Sequence, residues 1–465
     1  MQNLNVGLIG GGFMGKAHSL AYAAMPMFFW PAPALPVRKV IAEANEDLAS
    51  EAARRFGFEK STSDWRSIID DPDIHVVDIA TPNHLHAEIA IAAAEAGKHI
   101  ICEKPLARTG EESKAMYDAV KDKNLVHMVA FNYRRTPAVA LAKKYIEEGA
   151  IGRILSFRGT YLQDWSADPN SPLSWRFQKS IAGSGALGDI ATHVIDMARY
   201  LVGEFSAVNA VLSTWIPERP LQSGGADALG TVRGGEGPRG QVDVDDEVMT
   251  MIRFANGAVG SVEATRNAYG RNNYITFEIH GTEGSIVFNY ERRDELQVCF
   301  ASDPGDRRGF RTVYTGPAHP YGDGLWPIPA LGIGYGETKI IELTTSSRPL
   351  QKAAVSARVL PTDTRWPSLT TQSSSPLRRN RGSRFSRSTV DQTGGAAVPP
   401  LRPGTGTAED AQIARDNCQP RRSASLANAS VYRKTRAGSG ASGSTRQAAV
   451  SEQKRRRMPR IHGLR

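Results

Sequence analysis

Two sets of residues in this sequence have types and spacings suited to chemistry. The first is Gly10-Gly11-Gly12-Phe13-Met14-Gly15, a G-x-G-x-x-G run that follows the apolar pattern Val6-Gly7-Leu8-Ile9 and opens a helical stretch, Lys16 to Ala24. In that setting Gly10 permits a tight turn, Gly12 lets the backbone approach a pyrophosphate and Gly15 allows close helix packing. The helix N-terminus adds unpaired N–H groups and the positive end of its dipole. Gly10, Gly12, Phe13, Met14 and Gly15 are therefore candidates for dinucleotide binding. The second set is Lys104, in a Glu103-Lys104-Pro105 loop, with Asp189 and His193, one turn apart on a helix. An acid and a histidine so spaced are more often structural than catalytic. What favours chemistry is the dinucleotide motif upstream, the lysine-bearing loop and the lack of another acid/base set.

These residues need elements to position them. The strand Val40-Ile41-Ala42 ends in Glu43, whose carboxylate can accept hydrogen bonds from the adenosine ribose and would repel a 2′-phosphate, so NAD is expected over NADP. A Pro-rich segment, Pro26 to Pro36, lies before that strand. Further strand and helix patterns alternate: His75 to Ala80, Ala87 to Ala96 with Gly97 as cap, His99 to Cys102, and Val126 to Phe131. Alternation of this kind predicts a doubly wound parallel sheet. The loops Thr81-Pro82-Asn83-His84 and Glu103-Lys104-Pro105 then fall at the carboxyl ends of strands, where ligands bind.

After a helix at Pro137 to Glu148, the runs Ile154 to Trp165, Val248 to Phe254, Ala258 to Ala264, Tyr274 to His280, Ser285 to Tyr290 and Leu296 to Phe300 read as strands. Asn256-Gly257 and Gly281 to Gly284 mark tight turns, so this sheet should be mainly antiparallel. Gly183 to Asp189 opens a helix through Leu201, with Ile190, Val194, Met197 and Leu201 as the stripe facing the core. The fold class is α/β: an N-terminal Rossmann domain (residues 1–128), then an α+β domain with a large open sheet (129–343).

Glu103-Lys104-Pro105 after a Rossmann unit, Trp175-Arg176, and Gly185 to Asp189 followed by His193 together resemble the glucose-fructose oxidoreductase, inositol dehydrogenase and MocA family. The resemblance extends over Met1 to Leu343. It implies an NAD-dependent sugar or polyol dehydrogenase, with His193 taking the hydroxyl proton at an ordinary pKa of about 6.5. Lys104 would stabilise the developing alkoxide, and Asp189 would anchor the substrate or orient His193. It implies cofactor contacts from Glu43, Thr81, Asn83, His86, Glu103, Lys104, Trp175 and Arg176, with His84 in the same loop. Substrate contacts are expected from Lys104, Tyr133, Gln163, Trp165, Asp189 and His193. The implied substrate is 1,6-anhydroglucose, oxidised at its C3 hydroxyl; inositol or another polyol is the alternative, and an NAD-bound regulator without turnover is a further one. A homodimer or homotetramer built through the second sheet is also implied.

The 465 residues, 40% hydrophobic and 23% charged, suffice for two domains with real cores. Apolar stretches are too short for the roughly 20 residues of a membrane helix, and no export leader precedes Val6. A cytoplasmic protein is expected, with Cys102, Cys299 and Cys418 too scattered for zinc or a disulfide framework. No metal site has ligand spacing. The net charge of +9 comes from the C-terminal part: residues 344–465 hold 23 Lys and Arg against 6 Asp and Glu, leaving 34 basic and 42 acidic residues before them. No nucleic-acid partner is therefore expected for the body.

From Thr344 the chain turns to Ser, Thr, Pro, Gly, Ala and Arg, a composition expected to form a disordered basic tail (344–465). Runs such as Lys454-Arg455-Arg456-Arg457 would attract phosphate, so a nucleic-acid-binding tail is one reading. An out-of-frame translation is the other. With one cytosine restored before Thr344 and synonymous codons chosen, the neighbouring frame begins HDFFAATAEG, an amphipathic helix. It continues through SFADGYQV, a turn, to VAELDDAILVS, a second helix.

Overall fold

The computed structural model describes residues 3–221 and 237–353. The expected tail beyond Ala353, and Cys418 with it, lies outside the described residues. The first domain runs β1 (Asn3–Ile9), α1 (Phe13–Phe28), β2 (Leu35–Ala42), α2 (Glu46–Phe56), β3 (Lys60–Thr62), α3 (Arg66–Asp70), β4 (Val76–Ile79), α4 (His86–Glu95), β5 (His99–Glu103), α5 (Gly110–Val120) and β6 (His127–Ala130). All six strands pair in parallel in the order β3-β2-β1-β4-β5-β6. The strand order reverses between β1 and β4, which opens a crevice at their carboxyl ends. Central strands buried on both faces need continuous apolar sequence, and every residue of β4 is buried.

Two local readings change. Helix α1 continues through Pro26 to Phe28, past the expected end at Ala24, because Ala21, Tyr22 and Met25 bury one face against the sheet and outweigh the hydrogen bond that proline removes. Strand β2 begins at Leu35, so the tail of the Pro-rich segment pairs with β1, Pro36 opposite Leu4.

The second domain follows with α6 (Pro137–Glu147), β7 (Ile154–Leu162), α7 (Lys179–Ala182), α8 (Thr192–Leu201), β8 (Phe205–Ser213), β9 (Glu218–Pro220), β10 (Arg239–Gln241), β11 (Glu247–Phe254), β12 (Val259–Thr265), β13 (Tyr274–Gly281), β14 (Gly284–Asn289), β15 (Glu295–Phe300) and β16 (Arg311–Tyr314). Eight of these strands form one open sheet, β16-β15-β14-β13-β7-β12-β11-β8, antiparallel except for the β7–β12 pair. Along β11 the alternation is complete: Val248, Thr250, Ile252 and Phe254 are buried while Met249 and Met251 point outward. The inner face packs on α6 through Leu141 and on α8 through Val194, Met197 and Leu201, which with Ile190 make up the stripe read from the sequence.

A last helix, α9 (Tyr335–Ala353), returns to the first domain, where Ile340, Ile341 and Leu343 join Leu4, Val6, Met25 and Ile101 in one core. The expected boundary at 343/344 therefore cuts a helix. Thr344 and Ser347 are buried within it, and their hydroxyls donate to the carbonyls of Ile340 and Leu343, one turn back. The boundary at 128/129 likewise falls inside β6.

Candidate active site

The glycine loop is shaped by backbone contacts. Gly10 has φ +101° and a side chain there would meet the Ala80 carbonyl at 2.6 Å; one at Gly15 would meet the Gly10 carbonyl at 2.1 Å. A side chain at Gly12 would meet no protein atom within 4 Å, which leaves that flank of the loop open to a phosphate group. Glu43 closes β2 against the same loop: it accepts from Gly11 N–H and, at 3.1 Å, from Ala44 N–H. Across the crevice the buried Thr81 Oγ1 and His84 Nδ1 have no hydrogen-bond partner. These features fit a dinucleotide lying over the β1–α1 turn.

Lys104 extends from the end of β5 into the second domain, where its Nζ donates to the Asp189 carbonyl at 2.8 Å and lies 3.4 Å from Asp189 Oδ1. Asp189 sits in a π-helical turn, Leu187–Ala191, that leads into α8. Asp245 pins the start of that turn by accepting from Gly185 N–H at 2.8 Å and Leu187 N–H at 2.7 Å. The Asp189 carboxylate also faces the fully buried Arg266, Oδ2 to Nη1 3.4 Å. Burial alone would push its pKa up, but Lys104, Arg176 and Arg266 overcome this and hold the carboxyl well below the usual range.

His193, at the first turn of α8, is buried among the rings of Tyr133 (centroids 4.5 Å apart), Phe131 and Tyr161. Its Nδ1 has no hydrogen-bond partner. Burial first, and then the charge of Lys104, hold its pKa well below the ordinary value, against the opposing pull of Glu103. The imidazole is thus neutral at neutral pH. Among the described residues no hydrogen bond joins it to Asp189; the carboxylate faces Lys104 and Arg266 instead.

The other sequence candidates fall into place unevenly. Tyr133, Gln163 and Trp165 form one polar chain: Tyr133 Oη lies 3.0 Å from Tyr161 Oη, Gln163 Nε2 is 3.2 Å from Asn273 Oδ1, and Trp165 Nε1 donates to Gln163 Oε1 at 3.1 Å. Tyr133 is buried and packs edge-on against the His193 ring. Arg176 stacks over Trp175 at 4.3 Å and contributes to the field at Asp189. Asn83 is buried and donates to the Ala182 carbonyl at 2.8 Å, tying the two domains together. His86 is fully buried, with its ring nitrogens 3.0 Å from the Pro105 carbonyl and 2.9 Å from that of Thr81, so it braces the two loops from behind. Glu103 is engaged entirely by protein groups, His18, Lys339 and the Lys104 N–H.

Arg266, Asn273, Tyr161 and Lys339 were missed. Tyr161 shares a strand face with Gln163, which period-two spacing could have revealed. Lys339 lies on α9 beside the buried apolar Ile340, Ile341 and Leu343, so an apolar pattern marks the helix but gives no sign of the lysine's buried partners.

Residues 4–131 match the profile of the oxidoreductase family with NAD-binding Rossmann fold, and residues 139–287 that of the GFO/IDH/MocA C-terminal domain. The chain belongs to the GFO/IDH/MocA family and is an NAD-dependent oxidoreductase, as the sequence motifs implied. It is 96% identical over 342 residues to levoglucosan dehydrogenase of Pseudarthrobacter phenanthrenivorans, a match covering 74% of this chain and 88% of that protein. It is 35% identical over 256 residues to scyllo-inositol 2-dehydrogenase (NAD(+)) of Bacillus subtilis, covering 54% of this chain and 66% of the relative. A solved levoglucosan dehydrogenase in complex with NADH and levoglucosan superposes with a TM-score of 0.72 at 89% identity, over 76% of this chain and 90% of that one.

Proposed function

We propose that this protein oxidises levoglucosan, 1,6-anhydroglucose, at its C3 hydroxyl to the ketone, with Lys104, Asp189 and His193 as the reacting constellation. The observation that carries the reading is the convergence of a lysine, a carboxylate and a neutral buried histidine beside an open glycine loop. The 96% identity to a levoglucosan dehydrogenase supports the substrate. Bound NAD supplies the hydride acceptor, taking the carbinol hydrogen with its electron pair. His193, neutral in its buried setting, accepts the hydroxyl proton. The Lys104 ammonium donates a hydrogen bond to the oxygen as negative charge develops on it. Asp189 fixes that ammonium and offers its carboxylate to a neighbouring sugar hydroxyl. We assign Trp165 and Gln163, joined by a hydrogen bond, with Arg266 over the Trp165 ring, to the sugar side of the site. NADH absorbance measured with levoglucosan, myo-inositol and glucose in parallel tests the reading. A rate favouring levoglucosan supports it; a preference for inositol reassigns the substrate, and NADH binding without turnover on any of the three overturns the catalytic assignment.

The outer face of the second sheet supports a homo-oligomer. Val211 (63% exposed) pairs with Met249 across β8 and β11, and Met251 (67%), Val259 and Leu155 extend the apolar surface. Surface of this kind marks an interface. Light scattering coupled to gel filtration would report a dimer or tetramer; a monomer overturns this. We also place the protein in the cytoplasm, a reading supported by the free thiols of Cys102 and Cys299. Among the described residues no helix is long and apolar enough to cross a membrane.

The segment after Leu343 we infer to be an out-of-frame translation. The match to the Pseudarthrobacter enzyme is 342 residues long, one fewer than the residues preceding Thr344. Beneath α9 lies a pocket of about 340 Å³ lined by Ile100, Met116, Val126 and Phe131 on one side and by Thr345 and Ser346 on the other. The restored frame puts phenylalanine at positions 346 and 347. Sequencing the gene across Leu343 decides the matter, and an uninterrupted frame there overturns it.

A further inference from the structure

Behind the reacting groups lies a wholly buried ionic network that the proposed mechanism does not use. Lys339 Nζ, from α9, donates to Glu103 Oε1 at 2.6 Å and to Glu342 Oε2 at 2.9 Å, and lies 3.2 Å from His18 Nε2. His18, from α1, meets Asp78 of β4 through Nδ1 at 2.8 Å and Glu103 through Nε2 at 2.9 Å; Tyr22 donates to Asp78 at 2.8 Å. Two cationic side chains therefore face three carboxylates. Glu103 Oε2 in turn accepts from the Lys104 N–H at 3.1 Å, so the network ends on the backbone of the lysine that reaches Asp189.

Burying ions is costly unless each is paired, and removing one partner strands the rest. The arrangement needs a reason, and its position supplies one. The β5 terminus carries Lys104 out of the sheet, and the Glu103 carboxylate is the side-chain tether at that point. Lys339 holds this tether from the opposite side, on a helix more than two hundred residues downstream.

We propose that Lys339 is a positioning residue for the reaction: clamped between Glu103 and Glu342, it holds the end of β5 so that the Lys104 ammonium stays in reach of Asp189. This rests on the assignment of Lys104, Asp189 and His193 as the reacting constellation. Lys339 also belongs to the set of charges that His193 faces, with Lys104 and Glu103 from the β5 end and Asp189 from the π-turn. Removing the Lys339 charge leaves Glu103 less compensated, which favours protonated His193.

The test compares Lys339→Met, Lys339→Arg, the double variant Lys339→Met with Glu342→Met, and Lys104→Met in the full chain. Thermal melts check folding, initial rates over pH separate kcat from KM, and NMR titration follows the His193 imidazole without any need for turnover. In Lys339→Met we expect kcat to fall roughly a hundredfold, as a misplacement of about 1 Å can cause. KM for NAD should change little, and the acid limb and the His193 titration should both move to higher pH. Lys339→Arg should recover most of the rate. The double variant removes one charge of each sign and replaces the pair with apolar volume; should the single variant fail to fold, it carries the test. Its expected signature is a low kcat with the limb still moved to higher pH, because Glu103 remains without its lysine. Parent-like kcat in the folded variants, or a loss that follows melting temperature with no shift of His193, overturns the proposal. Undiminished turnover in Lys104→Met would instead overturn the assignment on which it rests.

Discussion

The Lys104 ammonium lies 2.8 Å from the backbone carbonyl of Asp189 and 3.4 Å from its carboxylate, a contact between residues 85 apart that joins the end of a parallel strand to a π-turn of the other domain. One cation is therefore positioned by a main-chain oxygen while its charge is shared with a carboxylate that also faces Arg266. Lys104→Met should lower kcat by a factor of about 10² to 10³, the size of effect seen when one oxyanion donor is removed. Asp189→Asn keeps the carbonyl contact and should cost less. Steady-state rates on the two variants, with NADH binding measured separately, check the ranking.

His193 titrates below its ordinary value because burial and Lys104 both disfavour the charged ring. A base must be neutral to accept a proton, so kcat/KM should stay flat as pH falls through about 6.5, the reference value for imidazole, and drop only at lower pH. Lys104→Met removes one of the charges that depress it, and the limb should then move up. A limb at or above the reference value in the parent protein would contradict this account.

His18 behaves in the opposite sense. Burial would lower its pKa, but Asp78 and then Glu103 overcome that and raise it from 6.5 to about 9. Its folded-state value is the higher one, so its contribution is fully present below pH 6.5 and is lost as pH rises through about 9. The linkage is worth roughly 3 kcal/mol across that window. Denaturant unfolding at pH 6 and at pH 9.5 should show the loss, and His18→Asn should flatten it.

Ser346 lines the pocket beneath α9 together with Thr345 and Glu342. Ser346→Phe adds a ring on the side where the lining is small and polar, opposite Ile100, Met116 and Phe131. Filling space of this kind should stabilise by about 1–2 kcal/mol, which corresponds to a rise of some 2–4 °C in melting temperature for a protein of this size. A fall in melting temperature would mean that the pocket cannot accept the ring.

The glycine loop and the parallel sheet were legible because each depends on short-range pattern, a fingerprint between strand and helix and apolar runs. The stripe Ile190, Val194, Met197 and Leu201 was legible for the same reason. The orientation of His193 was not, since spacing along a helix cannot reveal that a π-turn intervenes or that Asp189 turns to Lys104 and Arg266. Lys104 and Asp189 took their roles from the family resemblance, and their contact spans 85 residues, beyond the reach of any local pattern. Glu103 entered as a cofactor contact through the family resemblance; the ion pairs of its carboxylate with His18 and Lys339 were not legible, because those partners come from the two ends of the fold and leave no local signal.

Helix α9 completes the core that β1 and α1 begin, with Ile340 and Leu343 set against Leu4, Val6 and Met25 and with Tyr335 stacked on Phe13 at 5.7 Å. A nascent chain leaves the ribosome from its N-terminus, so these surfaces emerge long before the helix that covers them has been translated. The nucleotide-binding half cannot close during synthesis of the second sheet, and its apolar flank stays open to chaperones and to other unfinished chains until that helix arrives. Errors that strike the codons of this helix therefore fall on the first domain to be made.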